Sequence, residues 1–177
     1  MFKKIWRVTL LVLFLSLIAI VQFSFIAVLP SFWRQLNLVL IVMIFILFFF
    51  DLETALVAAF ISGFWLDILA FNFFGFYLFA LLLTLILAQW LATTRLTNRS
   101  FYSFLLLMLA SAVAYNLITG LLRYFFTSAG GVFFLASGAF WLALLYQAGG
   151  NFISALLLFN IVGALTRRLQ PFFLEKK

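Results

Sequence analysis

Few side chains in this sequence could do chemistry, and one of them stands apart. There are four acids, Asp51, Glu53, Asp67 and Glu175, and neither histidine nor cysteine. Asp67 has no other charge between Glu53 and Arg95, and it sits in the apolar run Ile-Ser-Gly-Phe-Trp-Leu-Asp-Ile-Leu-Ala at 61–70. Without imidazole or thiol, no Ser-His-Asp or Cys-His nucleophile can be assembled, and the usual zinc and haem ligands are missing. A two-carboxylate site would have to draw on Asp51 and Glu53, which read as loop residues. Neither catalysis nor a metal or cofactor is expected.

A carboxylate in or near a bilayer costs roughly 2.5–3.5 kcal/mol on insertion scales, so it faces protein or water and takes a partner. Gly63 lies four residues before Asp67, on the same face of a helix. A glycine there lets a second helix approach closely, which is how helices pack in lipid. Asn72 and Gly75 then mark a turn. Two roles fit this pattern. Asp67 caps a helix end while Gly75 relaxes a hairpin, or Gly63 and Asp67 present a docking or ligand surface. An acid inside the membrane is read by default as the second.

The elements that must position these residues follow from composition. Of 177 residues, 68% are hydrophobic and 8% charged, and the mean hydropathy is +1.31. A soluble domain averages about 45–50% apolar and about 25% charged residues. The expected fold class is all-α, a polytopic membrane helical bundle forming a single domain over 1–177, because too little polar chain remains for a second. Apolar runs bounded by charges and helix breakers put six spans at about 8–29, 36–50, 54–71, 74–93, 101–126 and 149–166.

The first run follows Lys3, Lys4 and Arg7. Its length of about 22 residues exceeds the about 7–15 of a signal-peptide core, so it reads as a retained span. Gln22 is its most polar residue and is expected to face the bundle, with Ser16 or Ser24. The second run, about 15 residues or roughly 22 Å, is short for a crossing. Asp51 or Glu53 near the start of the third span would favour its positive end. The fifth carries Ser103, Ser111, Tyr115, Asn116 and Thr119, with Arg123 near its end. Residues 132–148 precede Gly149-Gly150 and are expected to form an interfacial or tilted segment before the last span.

Charge sets the count. With six spans, every Lys and Arg except Arg34 and Arg123 falls on one side, nine against two; a seventh span gives five against six. The positive-inside rule then expects a multi-pass membrane protein of six spans with both termini in the cytoplasm. The net charge of +7 is spread along membrane-flanking segments, the distribution of a topology signal and not of a nucleic-acid surface. On this topology Asp67 and Arg123 both lie near outer helix ends, and they are expected to pair, since buried charges are normally paired.

These features together resemble MreD, the family of rod shape-determining membrane proteins of bacteria. Ala-Ala-Phe-Ile-Ser-Gly-Phe-Trp-Leu-Asp-Ile-Leu at 58–69, with Phe-Gly-Phe-Tyr at 74–77, is similar to the family's glycine- and leucine-rich helix ending in an aspartate, followed by a small loop and a glycine. The charged start with its first span turning into a second, and the basic loop from Arg95 to Arg99, fit as well. So does Gly-Gly-Asn-Phe-Ile-Ser-Ala-Leu-Leu-Leu-Phe-Asn at 149–160, running into Arg167-Arg168. The chain departs from the family in a longer segment before the last helix and in lacking a proline within the expected last span.

The resemblance implies a non-enzymatic scaffold of the cell-elongation machinery. It would bind an MreC-like bitopic protein, work with RodA and a penicillin-binding transpeptidase, and help direct lateral peptidoglycan synthesis and rod shape. Gly63 and Asp67 look like the family's motif positions, and Asn151 is a further one. With Asn72 and Arg123 they form the candidate set for partner docking or internal polar packing. The alternative is a substrate-binding subunit of an energy-coupling-factor vitamin importer, also six-spanning and of similar size. Such a subunit needs polar groups converging on a pocket, and Asp67, Asn72, Arg123 and Asn151 are available in the outer half. Its docking face of small residues four apart on the first helix is missing: of Ser16, Ala19, Ser24 and Ala27, no two have that spacing. A channel using Asp67 would need a relay of partners that the sequence does not supply.

Overall fold

Twelve apolar residues, Leu38–Phe49, form the helix on which the fold is centred, α2. The computed structural model describes residues 2–26, 29, 33–70, 73–96, 100–126 and 137–173. The described elements are helical throughout: α1 (Phe2–Ser24), a 3-10 turn at Trp33–Gln35, α2, α3 (Leu52–Ala70), α4 (Phe76–Thr94), α5 (Phe101–Phe126) and α6 (Gly138–Phe173). α2 touches all five other helices. Eight of its residues are buried, Leu40, Ile41, Met43 and Ile44 among them. A helix that is apolar on every side belongs in a core. Its shortness follows from that position. At about 1.5 Å per residue it is roughly 18 Å long, less than the roughly 30 Å of a hydrocarbon layer. A helix walled by others need not match the bilayer, because the backbone at its ends meets protein and not lipid.

The remaining helices form a partial ring around α2 in the order α1, α3, α4, α5, α6, and α6 reaches back to the 3-10 turn. Among the described residues, α1 and α6 do not touch. Small side chains make the ring tight. α3 buries Ala55, Ala58, Ala59, Ser62 and Gly63. α4 buries Ala80, Thr84 and Ala88, spaced four apart. Apolar burial gives little drive between helices in lipid, so association depends on such close approach. At the C-terminal end of α2, Phe45, Phe48 and Phe49 meet Phe104 of α5, with ring centroids 5.2–6.3 Å from its own. These are the separations aromatic pairs prefer.

Among the described residues, four helical segments are long and apolar enough to cross a membrane: α3, α4, α5 and the Gly138–Leu158 part of α6. Their outward faces carry large apolar residues such as Phe60, Phe79, Trp90 and Leu145. The chain is an all-helical protein with the surface of a membrane protein.

α3, α4 and α5 start and stop within two residues of the sequence expectation, and α5 matches at both ends. α1 differs: it begins inside the basic segment, at Phe2, and stops at Ser24 instead of 29. The larger correction concerns the end of the chain. The expected last span over 149–166, preceded by a separate interfacial segment, is one continuous helix of 36 residues from Gly138. Residues 132–136 lie outside the described residues. Gly149-Gly150 does not break α6, and Gly75 is the glycine that takes a positive φ. Glycine is about 1 kcal/mol poorer than alanine in a helix, but in apolar surroundings the backbone has no partner as good as its own helix. Neither glycine is required by a close approach: a Cβ at Gly149 would meet open space, and one at Gly150 would make an ordinary contact of 3.8 Å with Leu36 Cδ1.

Candidate functional site

The candidate residues fall into two adjoining structures, a joint between α3 and α4 and a polar cavity beside it. Asp67 lies in the last turn of α3 and is 3% exposed. Its Oδ2 accepts hydrogen bonds from the backbone N–H groups of Gly75 at 3.0 Å and Leu78 at 3.2 Å, and its Oδ1 accepts one from Tyr77 at 2.7 Å. The first turn of a helix leaves N–H groups without intrahelical partners. Gly75, the residue before α4, turns the chain with φ of 96° and brings no side chain to cap it. Asp67 therefore does from the neighbouring helix what an N-cap side chain does locally, and the positive end of α4 favours its carboxylate.

One turn earlier, Gly63 lets the backbone of α4 in. A Cβ at Gly63 would stand 2.6 Å from Leu78 Cα, closer than real atoms come. Gly63, Asp67 and Gly75 thus build one joint. Of the two roles open to Asp67, capping is the one the structure gives it. The carboxylate has amide partners of its own, so a pair with Arg123 is not needed to explain its burial. Asn72 lies outside the described residues.

The cavity has a volume of about 360 Å³. It lies at the end of the bundle where α1, α3 and α5 finish and α2, α4 and α6 begin. Asn37 is the hub of its wall. As N-cap of α2, its Oδ1 accepts from Leu40 N–H at 3.0 Å and from Gln22 Nε2 at 3.2 Å. Its own N–H donates to Asn151 Oδ1 at 3.1 Å, and Gln22 Oε1 accepts from Val39 N–H at 2.8 Å. These bonds tie α1, α2 and α6 together where the ring is open. Tyr115 of α5 reaches the Asn37 side chain from a third direction. Gln22 faces the bundle as expected, but its partners are Asn37 and Val39. Ser16 instead donates to Val12 O within α1, and Ser24 is exposed.

Arg123, Asn116 and Thr119 of α5 line the same space, as do Tyr77 of α4 and Gln147 of α6. Tyr77 belongs to both structures, since its N–H is held by Asp67 while its side chain faces the cavity. One buried carboxamide is left incomplete: Asn151 is fully buried and its Nδ2 has no hydrogen-bond partner. Gln147 is 6% exposed and its side chain faces the cavity. The pair is four residues apart, on one face of α6.

The structure therefore puts Arg123 on the cavity wall and Asn151 behind that wall, bonded to Asn37, and sets Gly63 and Asp67 beside the cavity. Sequence reasoning missed Asn37 and Gln147. An asparagine just before an apolar run is an N-cap signal, and Gln147 shares a face with Asn151. The chemistry on offer is recognition by amides, hydroxyls and a guanidinium. Comparison with known proteins adds no family: no family model, curated protein or solved structure matches the chain.

Proposed function

We propose that this protein is a non-enzymatic membrane scaffold of the MreD kind, seated in the bacterial cell membrane with six crossings and both termini in the cytoplasm. The observation that carries the reading is the α3–α4 joint. The residues on which the resemblance rests, Gly63, Asp67 and Gly75, act together in space, one admitting α4, one capping it and one turning the chain into it. Their work is architectural, as a scaffold requires. Asp67, the acid of this stretch, is committed to holding two helices. The topology is supported by charge: Arg95 follows α4 at the end opposite the cavity, the end where α1 begins and α6 finishes.

In this role the chain holds an MreC-like bitopic protein and, with RodA and a penicillin-binding transpeptidase, helps direct lateral peptidoglycan synthesis. The test is depletion of the chain in its rod-shaped host. Rods should widen and round up, and a copy carrying Asp67→Ala should fail to restore them. Unchanged rods after depletion would contradict the reading.

One observation favours a second reading, the substrate-binding subunit of an importer. The cavity is within the roughly 300–1,000 Å³ of small-molecule sites and has convergent polar groups. The first helix weighs against it. Its outer face carries Trp6, Leu10, Leu13, Phe14 and Leu17 in place of a stripe of small residues.

A further inference from the structure

The cavity holds more hydrogen-bonding capacity than the protein uses. Buried polar groups are almost always paired, and an unpaired one costs about 1–3 kcal/mol. Behind the cavity wall the fully buried Nδ2 of Asn151 has no partner, and one turn earlier on α6 the carboxamide of Gln147 faces the cavity itself. Asn37 cannot serve them, because its Oδ1 already accepts from Gln22 and Leu40 and its side chain also meets Tyr115. The Gln147 carboxamide brings an N–H donor to this wall, beside the Arg123 guanidinium.

Charge narrows the choice. Arg123 lines the cavity, and among the described residues no carboxylate does. The nearest acid in the fold, Asp67, is turned to the amides of α4. A guanidinium has five donors in a fixed fork, so it can take a carboxylate or phosphate in bidentate fashion while keeping another partner. Phe140 and Ala143 make the wall next to Gln147 apolar and tight. We propose that this cavity binds a small anionic group, a phosphate or carboxylate, held by Arg123 and the Gln147 amide. The group comes from a lipid headgroup or from a free molecule; the cavity opens at one end of the bundle, where both are at hand. The proposal rests on the cavity alone and holds under either reading above.

The full-length protein in nanodiscs tests it with two probes. Phosphatidylglycerol is titrated into phosphatidylcholine discs as the lipid source, and glycerol 3-phosphate is added to pure phosphatidylcholine discs as the free source. Binding is read by native mass spectrometry and by the shift in melting temperature. At least one probe should bind saturably, and which one identifies the source. Arg123→Gln and Gln147→Leu should each weaken it tenfold or more, while Arg123→Lys, which keeps the charge but not the fork, should fall between the wild type and Arg123→Gln. Ala143→Leu narrows the cavity while leaving its polar residues in the sequence, and should weaken binding tenfold or more even if a polar variant fails to fold. Equal binding by the wild type and all these variants would put the anion elsewhere. No saturable binding of either probe would mean that water alone occupies the cavity. Either result overturns the proposal.

Discussion

Replacing Asp67 with asparagine removes a single oxygen and should still be among the most damaging changes in the chain. Three amide donors converge on the carboxylate, two on Oδ2 and one on Oδ1. An asparagine offers one acceptor oxygen. In its better orientation it keeps the bonds to Gly75 and Leu78 and turns an NH₂ group against Tyr77 N–H, losing the shortest bond of the three. A hydrogen bond to a charged group contributes about 1.5–3 kcal/mol, and favourable interaction with a helix N-terminus about 0.3–1 kcal/mol. The loss should therefore be about 2–4 kcal/mol, and alanine, which removes all three bonds, should lose more. Unfolding by steric trapping in micelles measures the free energy, and amide hydrogen exchange reads the cap itself. Tyr77 N–H should exchange faster in the asparagine variant while amides at the centre of α4 do not. A variant within about 0.5 kcal/mol of the parent, on a scale where lost caps usually reach about 1 kcal/mol, would refute the capping role.

Other substitutions have opposite expected signs, each checked by the same unfolding measurement. Gly63→Ala forces a Cβ against Leu78 Cα and should cost about 1–3 kcal/mol by overpacking, whereas Gly149→Ala has open space and should stabilise by about 0.5–1 kcal/mol. Gly75→Ala meets nothing within 4 Å but holds φ at 96°, so its loss of about 1–2 kcal/mol should be conformational only. Gln22→Leu leaves Val39 N–H without its acceptor, and should cost about 1–3 kcal/mol. Single cysteines at Phe2 and Lys177 should be labelled from the cytoplasmic side alone; labelling of either from outside would remove the six-crossing topology.

Helix positions were legible where charge or a turn signal bounded an apolar run. Arg95 and Ser100 bracket the α4–α5 connection, and Asp51 caps α3 through the Thr54 N–H at 3.2 Å. The asymmetric use of Gly63 and Asp67 was legible too, since four-residue spacing puts them on one face. Three things were not. The central place of α2 was hidden, because a run apolar on all sides reads alike for a helix in lipid and a helix in a core. The continuity of α6 was hidden, because Gly149-Gly150 reads as a break by propensities that weigh water as the competitor for the backbone. The Gln22–Asn37–Asn151 network spans 114 residues of sequence between Asn37 and Asn151, and no local pattern reports such a pairing. Only the presence of polar residues in apolar runs hinted at it.

The scaffold role is tested most directly by finding what the chain holds in its own membrane. The protein is tagged at Lys177, crosslinked lightly in native membranes, purified, and its companions identified. A bitopic protein with an extracytoplasmic domain, together with a wall-synthesis polymerase, is the expected result. Recovery of a paired ATPase with a shared transmembrane coupling subunit would contradict it and make the protein the binding subunit of an importer.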